Sequence, residues 1–331
     1  MSVLIVIPCL NEIAHIDRLL TQLVSKSKVS LIAVADGGST DGTLDAVARH
    51  ASNTDRVCLV KNPKRIQSGG VNTAVKLHGS SFDWLLRVDA HCLYPDTYVE
   101  SLMDSARQND ADCVVVPMLT VGKKGFQKAI ATAQNSVLGS GGSAHRQGGD
   151  GQFVDHGHHA LMRMDLFRKA GGYCEAMPCN EDAELDYRLT QLGAKIWLEP
   201  KATIQYFPRE TASGLWRQYF KYGVGRACNL RRHRMRPHLR QILPLAVPVS
   251  VLILPLAVMH PIFSVPFFIW LTLCLGIGLL IGVRKRGGWA LLSGVAAAIM
   301  HLSWGFGFLF DFVRRPRGVK ARYGILEIAD G

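Results

Sequence analysis

VLIVIPCLNE, residues 3–12, opens with five consecutive apolar residues and turns polar within a few positions. A short, unbroken apolar run rich in β-branched residues is typical of a strand that is buried on both faces, and Pro8 ends it. Over residues 12–24 the apolar side chains recur at the spacing of one helix face. This order predicts that the chain begins with the first strand and helix of a parallel α/β sheet.

The same alternation continues through the next hundred residues. The predicted strands are residues 31–35, 57–60, 84–88 and 112–117, and the predicted helices are residues 42–50 and 68–77. A further helix is predicted later in the chain, over residues 182–192. Strands and helices that alternate at this pace predict a doubly wound, Rossmann-like parallel sheet, in one domain over residues 1–208.

Between these elements, residues 120–160 turn rich in Gly, Ser and His. A long segment of this composition favours a mobile loop that covers a ligand rather than part of a core. A zinc site at His156, His158 and His159 is disfavoured, because no matching Cys or His pair lies at ligand spacing.

The C-terminal third differs in composition from the rest of the chain. Residues 242–283 contain no Asp, Glu, Lys or Arg, and a second uncharged run covers residues 287–310. At 1.5 Å per residue the first run would extend about 63 Å as a helix, enough to cross a hydrocarbon core of about 30 Å twice. The second run suffices for one crossing. Two or three membrane segments are therefore predicted over residues 241–312, with a buried hairpin as the alternative.

The net charge of +12 is concentrated beside these apolar runs. Residues 1–208 carry a net charge of −1, whereas residues 209–331 carry +13. The flanking basic residues are Arg231, Arg232, Arg234, Arg236, Arg240, Arg284, Lys285, Arg286, Arg314, Arg315, Arg317, Lys320 and Arg322. Positive flanks of membrane segments, which face anionic lipids, account for this charge better than nucleic-acid binding does. We predict contact with membrane lipids, a basic interfacial helix and linker over residues 209–240, and a basic cytoplasmic tail over residues 313–331.

The charge pattern leaves the topology open. A hairpin through residues 242–283 keeps the first two basic clusters in the cytoplasm, whereas a single crossing through residues 289–310 places the third outside. The first residues lack the basic start of a signal peptide, and the eight cysteines include no CxxC pair. These features predict a cytoplasmic domain with reduced thiols.

Three acidic features fall at or near the carboxyl ends of the predicted strands, where sheets of this kind bind ligands. Asp36 precedes two glycines, so it can approach a flat base or form an Asx-turn. Asp89 and His91 can present a carboxylate and an imidazole to one divalent cation, although Asp-x-His also occurs by chance. Asp182 opens a helix, where it can act as a general base or match the helix dipole.

Together these motifs resemble those of the family 2 inverting glycosyltransferases with the GT-A fold. The resemblance covers about residues 1–230, and its finer details are most similar to the ExoA-like glycosyltransferases of succinoglycan-type exopolysaccharide assembly. The matching segments are residues 7–12, 36–43, 72, 87–91, 171–173 and 181–182. A nicotinamide or flavin enzyme is disfavoured, because no Gly-x-Gly-x-x-Gly follows the first strand.

The resemblance implies roles for individual residues. Pro8, Glu12 and Asp36 would line the nucleoside pocket of a UDP-sugar donor, with Asp36 reading uracil and Arg65 assisting. A second group would act on the diphosphate and the acceptor, and its members are Asp89, His91 and Asp182. Asp89 and His91 would hold Mn²⁺ or Mg²⁺, and the imidazole, which replaces the usual second Asp, favours Mn²⁺. Asp182 would be the base in a displacement that turns an α-linked donor into a β-linked product.

The resemblance also implies a reaction and a location. The enzyme would transfer glucose from UDP-glucose to a polyprenyl-diphosphate-linked oligosaccharide at the cytoplasmic face of the bacterial inner membrane, beside other exopolysaccharide assembly proteins. Processive relatives carry Gln-x-x-Arg-Trp after the base, and its absence from residues 216–226 predicts one sugar per encounter. Arg217, Lys221 or Arg226 can contact the diphosphate of the donor or lipid headgroups. The competing function is an inactive, transferase-like assembly component.

Overall fold

The computed structural model describes residues 2–26, 30–141, 150–177, 179–237 and 239–314. Within these residues, eight strands form the main sheet in the order β3-β2-β1-β4-β8-β5-β9-β7, and β6 pairs with β10 in a second sheet. The strands are β1 (Val3–Cys9), β2 (Ser30–Asp36), β3 (Val57–Lys61), β4 (Trp84–Arg87), β5 (Cys113–Val116), β6 (Met118–Thr120), β7 (Gln152–Phe153), β8 (His158–Arg163), β9 (Ile196–Leu198) and β10 (Ile204–Tyr206).

Helices cover both faces of the main sheet and continue beyond it. They are α1 (Ile13–Lys26), α2 (Thr43–Asn53), α3 (Gln67–His78), α4 (Tyr98–Gln108), α5 (Gly125–Gln134), α6 (Val137–Ser140), α7 (Met164–Lys169), α8 (Glu181–Gln191), α9 (Ala212–Arg232), α10 (Leu239–Ile242), α11 (Ala246–Ile253), α12 (Val265–Arg284) and α13 (Ser293–Arg314). Residues of β1 alternate between two buried clusters: Ile5 packs in the cluster of α1, and Val6 packs in the cluster of α3. A strand with helices on both sides has no solvent-facing side, which explains the unbroken apolar run of β1. The predicted α/β fold is thereby confirmed.

The sheet is mixed, which corrects the prediction of a parallel one. Strands β1 to β4 run parallel, but β8 lies antiparallel between β4 and β5, and β7 is antiparallel to β9. An apolar run that is buried on both faces has the same composition in either direction, so the sequence pattern does not report strand orientation.

The expectation of a loop over residues 120–160 is also wrong in part. Residues 125–134 form α5 and residues 137–140 form α6, and Ile130 and Ala133 are buried against Ala297 and Met300 of α13. The buried face of α5 consists mostly of small residues, which allow close packing against α13. Such a face lacks the large apolar side chains that mark a helix in a sequence. Residues 142–149 of this segment lie outside the described residues.

Two C-terminal helical segments are long and apolar enough to cross a membrane. They are Pro261–Arg284, which contains α12, and Gly288–Arg314, which contains α13. The most apolar stretch of the first is only 17% buried, whereas that of the second is 56% buried. The first therefore presents its surface to the surroundings, and the second packs against the rest of the chain. Residues 243–258 form a shorter apolar helix, so the run predicted to cross twice contains one helix of membrane-spanning length. The predicted tail lies outside the described residues from position 315 onward.

Glycines bring α9 and α13 into close backbone contact. A Cβ added to Gly223 would lie 2.0 Å from the carbonyl oxygen of Trp304, and one added to Gly307 would lie 2.1 Å from that of Phe220. Arg231, near the end of α9, also pairs with Asp311 of α13 at 2.6 Å. The basic helix predicted to lie in the membrane interface is thus packed along the second candidate membrane helix.

We expect Gly223→Ala to loosen this contact, because the added methyl group cannot fit without moving the backbone of α13. The cost of such overpacking is about 1–3 kcal/mol, which should lower the melting temperature of the full chain in detergent by a few degrees. Gly276→Ala in α12 is the matched control, since its added Cβ meets nothing within 4 Å. Equal melting temperatures for both variants would contradict the close contact.

Candidate active site

Two loops are tied together at the carboxyl ends of β1 and β2. Asn11, whose φ of 57° lies in the left-handed region, donates its backbone N–H to the Ser39 hydroxyl at 2.8 Å. Its side-chain oxygen accepts the backbone N–H of Thr40 at 2.9 Å, and the backbone N–H of Glu12 donates to Thr43 Oγ1 at 2.9 Å. These bonds hold the loop after β1 and the loop after β2 together at one edge of the sheet.

A cavity of about 130 Å³ opens beside this edge. Its wall is formed by Pro8, Cys9, Leu10, Glu12, Asn62, Arg65, Ile66, Gln67, Ala90 and His91. The structure therefore brings together Pro8, Glu12 and Arg65, which the sequence placed at the nucleoside. His91, which the sequence placed with Asp89 at the cation, lines the same cavity. Gln67 and Asn62 were not predicted, and Asn62 is buried with a side-chain oxygen that has no hydrogen-bond partner among the described residues.

Asp36 lies next to this cavity but does not line it. Its carboxylate accepts the backbone N–H of Gly38 at 2.7 Å and that of Ser39 at 3.0 Å, and the Ser39 hydroxyl donates to it as well. Its carbonyl oxygen accepts the backbone N–H of Asn62 at 2.8 Å. The Asx-turn, which the sequence left open as an alternative, is therefore present, and Asp36 borders the cavity through its backbone.

Arg87 lies at the centre of three carboxylates, those of Asp89, Glu181 and Asp182, and we call this group the Arg87 cluster. The sequence assigned Arg87 no role. Its side chain is 4% exposed, and its guanidinium contacts Asp182 at 2.6 Å, Asp89 at 3.3 Å and Glu181 at 3.4 Å. Burial alone would lower the pKa of Arg87, but the charges of Asp182 and Asp89 outweigh it and raise the pKa well above its ordinary value. An arginine in an otherwise apolar strand, directly before the acidic motif, was the signal that could have identified it.

Asp89 and Asp182 lie on either side of one imidazole. His158 Nε2 is 3.7 Å from Asp89, and its Nδ1 is 3.9 Å from Asp182. Burial would raise the pKa of Asp89, but the charges of Arg87, His158 and His91 outweigh it and lower that pKa. The two carboxylates, which are far apart in sequence, therefore meet at one place. His158, which the sequence raised only for a disfavoured zinc site, is a further residue of this site.

His91 pairs with Glu12 rather than with Asp89. The distance from His91 Nδ1 to Glu12 Oε1 is 3.1 Å, and this hydrogen bond, more than the charge of Asp89, raises the pKa of His91. A metal ligand must be a neutral imidazole, so protonation of His91 would compete with cation binding there. The described residues contain no group of three or more His, Cys, Asp or Glu side chains placed to hold a metal. The donor set therefore fits a divalent cation only if substrate phosphates complete the coordination, as is usual for Mg²⁺.

The loop before Asp182 is anchored to α9. Asn180, with a φ of 59°, donates its side-chain N–H to the carbonyl of Tyr222 at 3.1 Å, and the Cys179 thiol donates to that of Lys221 at 2.8 Å. Gly225 faces this loop, since an added Cβ would lie 2.6 Å from Cys179 Sγ. The start of α8, and with it Asp182, is thus positioned by a helix that packs on a candidate membrane helix.

A larger cavity of about 550 Å³ lies beside this loop. Its walls come from α6, β7, α9 and α13, together with Asn180 and the start of the apolar C-terminal region. Arg87 links the two sites, because it contacts Gln67 in the wall of the small cavity at 3.1 Å and Asp182, two residues after Asn180 in the wall of the large cavity, at 2.6 Å.

Comparison with known proteins identifies the family. The model of glycosyl transferase family 2 matches residues 4–171. The chain is 49% identical over 323 residues to the succinoglycan biosynthesis protein ExoA of Rhizobium meliloti (strain 1021), and the match covers 95% of this chain and 97% of that protein.

Solved structures with the same fold are much more distant in sequence. The mannosyltransferase PcManGT from Pyrobaculum calidifontis, in complex with GDP-Man and Mn²⁺, matches with a TM-score of 0.62 at 15% identity, over 95% of this chain and 88% of its own. A mycobacterial protein matches with a TM-score of 0.50 at 15% identity, over 71% of this chain and 76% of its own. The chain therefore belongs to glycosyl transferase family 2 and is a glycosyltransferase with a GT-A α/β core followed by C-terminal helices.

Proposed function

We propose that this enzyme transfers a single glucose from UDP-glucose, with inversion to a β-linkage, onto a polyprenyl-diphosphate-linked oligosaccharide in exopolysaccharide biosynthesis of the succinoglycan type. The observation that carries the proposal is the 49% identity with a succinoglycan biosynthesis protein across nearly the whole of both chains. Other exopolysaccharide assembly proteins are proposed partners on the same basis.

The nucleoside of the donor would enter the small cavity lined by Pro8, Glu12 and Arg65. Asp36 is the proposed reader of uracil, although its carboxylate is engaged by Gly38 and Ser39. Asn62 supports the same assignment, because its side-chain oxygen, without a partner among the described residues, is a second acceptor in the wall of this cavity.

Asp182 is the proposed general base. It would take the proton of the attacking acceptor hydroxyl while the oxygen bonds to the anomeric carbon and UDP leaves from the opposite side. A single displacement of this kind inverts the anomeric centre. The contact with Arg87 at 2.6 Å supports the role, because it holds the carboxylate in one orientation beside Asp89.

Asp89 and His91 would hold the divalent cation, Mn²⁺ or Mg²⁺, and the cation would neutralise charge on the leaving diphosphate. The position of Asp89 supports this assignment, since its buried carboxylate lies between Arg87 and His158, next to the small cavity.

We expect Asp89→Asn to weaken the binding of UDP in the presence of Mn²⁺ by about tenfold or more, because the neutral amide is a poor ligand for a hard cation. Isothermal titration calorimetry of the full chain with UDP, once in the presence of Mn²⁺ and once in EDTA, measures this affinity. The metal-free affinity serves as the internal control and should be similar in both proteins. Equal affinities in Mn²⁺ would exclude Asp89 as a ligand.

The proposed location is the cytoplasmic face of the bacterial inner membrane, in a multi-pass arrangement. Two candidate spanning helices, of which the first has a mostly exposed apolar surface, support membrane association. The basic residues that flank them favour cytoplasmic placement of the catalytic domain.

Membranes from cells that express the chain, incubated with radiolabelled UDP-glucose and a defined lipid-linked primer, test the proposal. We expect label in the lipid fraction, released by mild acid as the primer sugar extended by one unit. UDP-galactose and GDP-mannose are the donor controls. If folded protein transfers no sugar from any donor, the competing function of an inactive assembly component is favoured instead.

A further inference from the structure

The large cavity lies where the catalytic domain meets the candidate membrane helices. Its lining includes Asn180, two residues before Asp182, as well as Met300 and Trp304 of α13. The small cavity proposed for the donor lies on the other side of Arg87, which contacts Gln67 in its wall at 3.1 Å. Since the acceptor hydroxyl must reach the proposed base, a second cavity whose wall begins two residues from Asp182 is placed to receive the acceptor.

The walls of this cavity are complementary to an anionic amphiphile, because they combine a cation with apolar surface. Arg226, which is half-buried, is the only Lys or Arg among the described residues that line the cavity, and it lies beside Tyr219 and Tyr222 of the same helix. Met300 and Trp304 supply apolar surface from a helix that is itself apolar enough to span a membrane. A guanidinium favours phosphate, and the apolar surface favours the hydrocarbon attached to it.

Three cations of α9 were candidates for contact with the donor diphosphate or with lipid headgroups, and the fold distinguishes them. Arg217 and Lys221 are exposed and do not line the cavity, whereas Arg226 is half-buried and does. Asp155 also lines the cavity, but it is exposed, so its charge is screened by water more strongly than that of Arg226. The cavity volume of about 550 Å³ is large enough for more than a phosphate ion.

We propose that this cavity binds the diphosphate of the lipid-linked acceptor, with Arg226 on the diphosphate, the first isoprene units against Met300 and Trp304, and the acceptor sugar directed past Asn180 toward Asp182. The assignment rests on the proposed function, because it takes a polyprenyl diphosphate as the carrier. Arg226 is a specificity-determining residue in this scheme, and it acts on the acceptor alone.

The test measures binding without any donor, so that it is independent of which sugar is transferred. Full-length protein in phosphatidylcholine nanodiscs is titrated with undecaprenyl diphosphate, and bound lipid is counted by native mass spectrometry. Arg226→Met should weaken this binding by about tenfold or more, the usual loss when a charge-assisted hydrogen bond is removed. Arg226→Lys should restore part of it, which shows that the site survives substitution.

Arg217→Met is the matched control, because it removes the same charge from the exposed side of the same helix and should leave the affinity for undecaprenyl diphosphate unchanged. Phosphatidylglycerol distinguishes the two sources of lipid phosphate. It should displace undecaprenyl diphosphate poorly, and its own binding should not depend on Arg226.

Equal losses in Arg226→Met and Arg217→Met, or efficient displacement by phosphatidylglycerol, would overturn the assignment in favour of headgroup binding. Failure of the proposed function is recognised separately. An enzyme that binds undecaprenyl diphosphate through Arg226 but transfers no glucose would have a different donor, whereas one that transfers glucose with unchanged kinetics in Arg226→Met would have its acceptor site elsewhere.

Discussion

Asp182→Asn is expected to lower kcat for sugar transfer by about 10²- to 10⁴-fold, the contribution that a positioned general base usually makes. The asparagine side chain keeps the size of Asp182 and can still accept a hydrogen bond from Arg87, but it cannot take a proton from the acceptor. Affinity for UDP should stay nearly unchanged, because Asp182 lies outside the small cavity proposed for the nucleotide. Initial rates with a lipid-linked primer, together with a UDP titration of the same sample, separate the two effects.

Glu181→Gln is the comparison that makes this result specific. Glu181 precedes Asp182, contacts Arg87 at 3.4 Å, and has a pKa that is raised by burial and by the charge of Asp182. A carboxyl group with a raised pKa is a reasonable rival base. We expect a smaller loss of kcat in Glu181→Gln than in Asp182→Asn. The reverse order would assign the base to Glu181, and equal large losses would indicate damage to the shared contact with Arg87.

The fold of the first 120 residues could be predicted because its signals are local. The apolar run that ends at Pro8, the glycines after Asp36 and the motif that follows β4 each depend on a few neighbouring residues. Parallel strands carry their carboxyl ends to one edge of the sheet, so motifs placed after strands are expected to converge. The meeting of Asp89 with Asp182 follows from this rule and from the position of α8.

The remaining features depend on contacts between distant parts of the chain. Nothing near Asn180 in sequence indicates that it bonds to Tyr222, or that Gly223 meets the backbone of Trp304. The state of the Asp36 carboxylate depends on the turn that Gly38 forms, with a φ of 90°. Because such contacts are set by tertiary packing, periodicity and motif spacing could suggest which residues matter but not which partners they have.

Arg87→Met is expected to destabilise the catalytic domain more than any surface substitution would. The guanidinium is 4% exposed, and its removal leaves Asp89, Glu181 and Asp182 facing one another without their cation. Breaking a buried ion pair in this way costs about 3–5 kcal/mol. Thermal unfolding of the full chain in detergent measures the loss. Arg87→Lys is the control, since it keeps the charge but not the planar group that contacts several carboxylates at once, and we expect an intermediate loss.

The dependence of this loss on pH identifies its cause. In the wild-type protein the pKa of Asp89 is lowered, so its contribution to stability is complete above the unfolded value of about 3.9 and is lost only as the pH falls through the folded pKa. Without Arg87, its positive charge no longer opposes the effect of burial, so the carboxyl pKa values of Asp89 and Glu181 should rise.

The folded variant then holds protons that the unfolded chain releases, so its stability falls as the pH rises. The difference in melting temperature between Arg87→Met and the wild type should therefore be larger at pH 8 than at pH 5. A difference that is independent of pH, or larger at pH 5, would mean that Arg87 stabilises the domain through packing rather than through its charge.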